Sequence, residues 1–160
     1  MAMLTKCIDE FSGAVRGAVL SVDFGDKRVG LARADSRYPI ASPYDVITYK
    51  AYKHLIAELL KIIDREDIKG IVCGYPLHMD GTEGVRCQKT LDFVSRLQTG
   101  FTGPILLWDE RLSTVQAQDH LLHMDVSRKR RRDVIDKMAA VYILQSALEK
   151  MKINAGVPSA

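Results

Sequence analysis

Apolar runs and apolar stripes take turns along this chain, and their order predicts its elements. The run "GAVLSVDFG" from Gly17 reads as a buried strand, and "KRVGLARAD" reads as its partner across the tight-turn pair Gly25-Asp26. A third short strand is predicted in "YDVITY", after the breakers Pro39 and Pro43. From Ala51 to about Arg65, Tyr52, Leu55, Ile56, Leu59 and Ile63 recur at helical spacing. "GIVCG" is a short buried strand. The glycine-containing loop "GYPLHMDGTEG" follows, then a helix with Cys87, Leu91, Val94 and Leu97 inward. "PILLWDE" is the last apolar run, and it ends in acid.

Ser113 with Gln116 makes a capping-box pattern, and Leu112 can staple onto Ala117, so a helix is predicted from there to about Met124. A basic loop, "SRKRRR", leads to a final helix from Asp133 to about Lys152. Three strands followed by helix, strand, helix, strand, helix and helix describe a mixed five-stranded α/β sheet flanked by helices, with right-handed crossovers in the second half. That is the plan of a ribonuclease H-like domain, and other α/β sandwiches share it. The domain is expected over residues 16–152. Residues 1–15 lack periodicity and read as a flexible arm or a short helix, and residues 153–160 as a flexible tail.

Composition narrows the class without fixing the partner. The 160 residues suit one ordinary domain, and a net charge of +3 permits a polyanionic partner without demanding one. Three cysteines, Cys7, Cys73 and Cys87, form no CxxC pair, which argues for a reducing compartment. Asp9, Glu10 and Arg16 interrupt the N-terminal segment, making it a poor signal peptide, and no apolar run is long enough to span a bilayer. A cytoplasmic location away from membranes is expected.

Three carboxylates stand out. Asp23 ends the first strand and Asp109-Glu110 ends the last, and ligands of open α/β sheets gather beyond such strand ends. If the two strands are parallel neighbours, their acids lie side by side and repel unless a cation or proton intervenes. Asp136 shares a helix face with Ala139, Ala140, Ile143 and Ala147, small residues that would let the helix pack closely on the sheet. A second stripe, Val134, Met138, Val141, Leu148 and Met151, is left for another element or a partner chain. Three oxygen ligands with room for water suit magnesium or manganese. Two such ions roughly 4 Å apart can activate a water and stabilise the departing oxygen of a phosphodiester. The bland alternative is that Asp23 and Asp109 cap strand ends and Asp136 is an exposed helix acid. Alternation puts Asp109 and Glu110 on opposite faces, and spacing alone leaves the choice between them open.

"DFGDKRVGLA", "GYPLHMDGTEG", "DERLSTVQA" and "DVIDKMAAVYILQSAL" resemble, in order and spacing, the four motif blocks of the YqgF/RuvX family. Its members are RNase H-like proteins described as pre-16S ribosomal RNA nucleases, and earlier as Holliday junction resolvase-like. The resemblance covers about residues 17 to 150. It implies that Asp23, Glu110 and Asp136 are the catalytic, metal-binding acids, and so selects Glu110 over Asp109. It also puts Arg28 and Arg111 at motif positions, to hold phosphate or orient the acids. Three positions depart from the family pattern: Asp26 replaces a small or neutral residue, His78 a common asparagine and Ser113 a threonine.

The run Arg128, Lys129, Arg130, Arg131 and Arg132 is the strongest local charge signal, suited to salt-sensitive nucleic-acid binding, with a solvated loop as the alternative. The glycine loop opens a helix, where free amides favour phosphate. His120 and His123 have a spacing that can bind zinc, yet no further ligand accompanies them. Trp108 reads as core. The function expected is a magnesium- or manganese-dependent endonuclease, with two ions when substrate is present, that processes the 5′ end of pre-16S rRNA. Its partners would be structured nucleic acid, pre-rRNA or branched DNA, and ribosomal precursor particles, with the protein acting as monomer or homodimer. The alternatives are a Holliday junction resolvase and a non-catalytic RNA-binding factor. "DFGDKRVG" also resembles the first phosphate loop of actin-like kinases, but the chain is too short for their two lobes.

Overall fold

A computed structural model describes residues 3–35, 37–112 and 128–154. Six strands form one mixed sheet: β1 (Leu4–Thr5), β2 (Ala18–Phe24), β3 (Arg28–Asp35), β4 (Tyr38–Thr48), β5 (Ile68–Tyr75) and β6 (Ile105–Asp109). Their spatial order is β1-β6-β5-β2-β3-β4. The β2, β3 and β4 strands pair antiparallel, whereas β5 pairs parallel with β2 and with β6. Four helices are described: α1 (Ile8–Ala14), α2 (Tyr52–Arg65), α3 (Val85–Leu97) and α4 (Arg128–Asn154).

Strand alternation sorts the core into two layers. Leu20, Val22, Phe24, Leu31, Ile71 and Cys73 point to one face, under Leu55, Leu59 and Ile63 of α2 and Phe93, Val94 and Leu97 of α3. Val19, Ala32, Val72 and Leu106 point to the other face, under α1 and α4. The alanine face read from the sequence is buried: Ala139, Ala140, Ile143 and Ala147 all lie against the sheet. Because those residues are small, α4 comes close. A side chain at Gly30 of β3 would run into the backbone carbonyl of Asp136, and Ser21 of β2 donates a buried hydrogen bond of 2.7 Å to the carbonyl of Ala140.

The structure revises several expectations. The sixth strand is β1, whose Leu4 and Thr5 pair with Ile105 and Leu106. Of the two readings of residues 1–15, the short helix holds and the flexible arm does not: the segment is a two-residue strand and a docked helix, and Phe11 and Val15 seal the α4 side of the core. The third strand is longer than predicted and runs through Pro39 and Pro43. Both prolines are tolerated because β4 is an edge, where a missing amide leaves no neighbour unsatisfied. The basic run Arg128–Arg132 is the opening of α4 and not a loop: arginine and lysine are good helix formers, and no glycine or proline interrupts them. Leu148 and Met151, from the stripe left for another element or a partner chain, do meet another element: they are buried with Phe11 and Val15 of the α1 segment, in the same layer as the alanines. The helix expected from Ser113, with His120 and His123, lies outside the described residues, as do residues 155–160 of the expected tail.

Phe11 is fully buried, so Phe11→Ala should cost about 3–5 kcal/mol of stability. Urea unfolding measures it. A loose arm would leave the midpoint where it is.

Candidate active site

Three features of the local sequence aim Asp23. Val22 and Phe24, its neighbours in β2, are committed to the α2–α3 face, and Phe24 stacks on Phe93 with ring centroids 4.5 Å apart. Alternation therefore turns Asp23 toward α4. The chain then leaves the strand in a tight turn, in which the amide of Gly25 donates to the carbonyl of Arg28 (3.0 Å). The Tyr49 hydroxyl donates to the carbonyl of Gly25 (2.6 Å), fixing the strand end just past the acid.

The strands carrying Asp23 and Glu110 are not neighbours. β5 lies between β2 and β6, so the two backbones are roughly 10 Å apart. What joins the acids is an omission. Gly74 of β5 pairs with Trp108 of β6 and lies one residue beyond Cys73, the partner of Val22. Any side chain at Gly74 would collide with the Glu110 carboxylate and with Ile143 of α4. With that space vacant, Glu110, first residue of a short 3₁₀ turn after β6, reaches across and its carboxyl hydrogen-bonds with that of Asp23.

The pair favours a shared proton for a physical reason. Burial, chiefly, and the mutual repulsion of two carboxylates favour the neutral form. Both groups are shifted upward, Glu110 to about 8 by burial and then by Asp23. Asp136 adds negative potential at Asp23, while its own carboxylate Oδ2 stands 2.9 Å from Nε of Arg28. Among the described residues, no group of three His, Cys, Asp or Glu side chains is placed to hold a metal ion in this arrangement. The sequence-predicted acids are thus brought to one place, with a proton and a guanidinium offsetting their charge.

Asp109 takes the opposite role. Arg111 chelates it with Nε (3.0 Å) and Nη2 (2.7 Å), and this holds its carboxyl below the usual carboxylate range. The two arginines expected at motif positions therefore both sit on acids, Arg28 on Asp136 and Arg111 on Asp109. Arg111 also donates from Nη1 to the carbonyl of Met79 in the glycine loop (3.2 Å). Asp26 is likewise neutralised, by Arg86 (3.3 Å) and Lys89 (3.4 Å) at the start of α3. Arg86 was not singled out from the sequence, yet its charge is felt at both Asp23 and Glu110. Its position, two residues after the glycine loop, was the available signal. Arg128–Arg132 form the first turns of the helix that carries Asp136.

The chain matches the RuvX family profile, described as Holliday junction resolvase, over residues 17–150. A Ruegeria pomeroyi protein named "Putative pre-16S rRNA nuclease" is 42% identical over 152 residues, spanning 94% of this chain and 99% of its own length. A Paracoccus denitrificans protein of the same name is 43% identical over 152 residues, spanning 94% and 96%. Among solved structures, T. thermophilus RuvC in complex with Holliday junction substrate is similar with a TM-score of 0.54 at 11% identity, covering 89% of this chain and 98% of that one. That likeness is one of fold, and it agrees with an RNase H-like sheet. Among the described residues, no helix is long and apolar enough to cross a membrane.

The shared proton makes stability pH-dependent with a definite sign. A carboxyl with raised proton affinity in the folded state stabilises the fold at low pH, and that contribution is lost as pH rises through the folded value. Without metal, the melting temperature should fall between about pH 4.5, where Glu110 ordinarily titrates, and about 8. In Asp23→Asn, which removes the neighbouring charge and leaves the burial of Glu110, that fall should be smaller but should persist. Calorimetry in a chelator checks this, and parallel profiles for the two proteins would contradict a shared proton.

Proposed function

This chain belongs to the RuvX family, and from that premise we propose that it is a metal-dependent endonuclease that hydrolyses phosphodiester bonds of structured RNA, acting at the 5′ end of pre-16S rRNA. The observation that carries the proposal is the meeting of Asp23 and Glu110 across Gly74, with Asp136 close enough to act on Asp23. Half-buried acids crowded together at strand ends are costly to a fold and serve no packing purpose. Their oxygens are the hard ligands that magnesium or manganese prefers.

Asp23, Glu110 and Asp136 are the residues that would hold such ions, and Asp23 sits between the other two. Loading requires Glu110 to give up its proton and Asp136 to turn from Arg28. Once bound, divalent ions supply Lewis acidity at a phosphodiester and activate a water. The rest is the work of the chain. Asp109 and Arg111 brace the strand end that carries Glu110, and Arg28 becomes available to a phosphate oxygen when Asp136 releases it. Arg128–Arg132 open the helix that delivers Asp136. Arg132 precedes that acid by about one turn, roughly 6 Å along the axis. Phosphates neutralised along that run would be led toward the acids, and the affinity would fall steeply with salt.

The test is cleavage of a precursor 16S rRNA 5′ fragment by wild type and by Asp23→Asn, with magnesium, with manganese and with chelator. Metal-dependent cutting by wild type, reduced to background in the variant and by chelation, is expected. A four-way DNA junction runs in parallel. Junction cleavage without RNA cleavage would move the substrate to branched DNA. Salt-sensitive RNA binding with no cutting of either substrate would replace the nuclease with a binding factor.

A further inference from the structure

We propose, resting on the nuclease reading above, that Met79 contacts a nucleobase: its side chain packs against the base next to the cleaved phosphodiester and holds that nucleotide out of a stack. Met79 is 85% exposed, the most exposed large apolar side chain among the described residues, and Val85, at 72%, stands at the other end of the same loop. A thioether so exposed on a mobile loop would mean little. This loop is braced. The amide of His78 donates to the carbonyl of Thr82 (2.9 Å), and that of Gly81 donates to the carbonyl of His78 (2.8 Å). The Asp80 carboxylate accepts from both the amide (3.0 Å) and the hydroxyl (2.6 Å) of Thr82. Lys6 ties Glu83 from outside at 2.8 Å.

Position gives the exposure its meaning. The loop leaves β5 directly after the strand that separates Asp23 from Glu110, and the Met79 carbonyl is held by Arg111, the residue after Glu110. Beyond the loop come Arg86 and Lys89, cations that a backbone phosphate could share with Asp26. The rim of the acid site thus offers an apolar surface beside positive charge, the pairing that a splayed-out nucleotide presents in reverse. Apolar side chains, methionine among them, separate stacked bases in other nucleic-acid complexes, and thioethers pack favourably on rings. An unstacked base is also what distinguishes a loop, bulge or junction from a regular duplex. This surface would therefore favour cleavage at structured but locally unpaired positions.

The experiment measures equilibrium binding in chelator and cleavage in metal, using the precursor fragment and versions with one abasic residue at successive positions around the cut. Met79→Ala should lower affinity and kcat/KM by about three- to tenfold, the size of a sulfur–ring contact. The slope of affinity against salt should not change, because no phosphate contact is lost. Met79→Leu should recover most of the loss. Removing the contacted base should cost wild type the same factor and cost Met79→Ala nothing further. Ile40→Ala, at a large apolar side chain 74% exposed at the far end of the sheet, should match wild type. Met79→Ala that matches wild type, or that loses the same factor on every abasic substrate, overturns the inference while the nuclease reading stands. Wild type that binds without cutting sinks the nuclease reading, and the binding arm still decides the role of Met79. A protein that does neither overturns both.

Discussion

Everything at the proposed active site depends on one vacancy in the sheet. Two carboxylates on strands separated by a third cannot touch unless the middle strand gives up a side chain, and Gly74 does so. The vacancy is shared: Glu110 fills it from β6 and Ile143 fills it from α4. Helix α4 must therefore lie almost on the backbone of the sheet. Gly30, the alanines at 139, 140 and 147, and the hydrogen bond from Ser21 to Ala140 are the means by which it gets there. Packing on that face and the delivery of Asp136 are one requirement met by the same small residues.

Charge is arranged around the vacancy in two tiers. At the centre Asp23 and Glu110 are half-buried against each other, and burial and mutual repulsion push both carboxyls toward the neutral form. At the periphery, where side chains reach water, each acid is given a cation. Asp136 has Arg28, Asp109 has Arg111, and Asp26 has Arg86 and Lys89. Asp26, an extra acid by comparison with the family pattern, therefore adds no uncompensated charge. Its exposed pairs contribute little to stability, but they fix the β2–β3 turn against the start of α3.

The sequence carried the individual acids better than it carried their neighbourhood. A strand ending in Asp23 and an alanine face bearing Asp136 are local patterns, and local patterns can be read without partners. Strand adjacency is not local, so the sequence leaves open whether the strands of Asp23 and Glu110 are neighbours, and the structure places β5 between them. Gly74 looked like the rim of a phosphate loop because the collision it avoids comes from residues 36 and 69 positions away. Glu110 and Asp109 were separated by family resemblance. In the structure the physical distinction is the chelation of Asp109 by Arg111, a two-residue contact that alternation alone does not specify. The N-terminal segment reads as either a flexible arm or a short helix for another reason. Phe11 and Val15 give it two anchors, too few to make a period, and the strand it supplies is two residues long.

The same contrast separates what is fixed in this site from what can change. The backbone around the acids is held on every side: the Tyr49 hydroxyl on the turn after Asp23, the Arg111 fork under the strand end of Glu110, the Arg111 contact to the glycine loop, and α4 pressed on Gly30. None of these contacts uses the carboxylates of Asp23, Glu110 or Asp136. Among the described residues, Asp23 and Glu110 are engaged with each other and Asp136 with Arg28, partners that a divalent cation can replace without moving a strand or a helix. A frame this closely braced sets the positions of the three acids in advance. The adjustments that ion and substrate would ask of the described residues are the loss of a proton and the rotation of side chains.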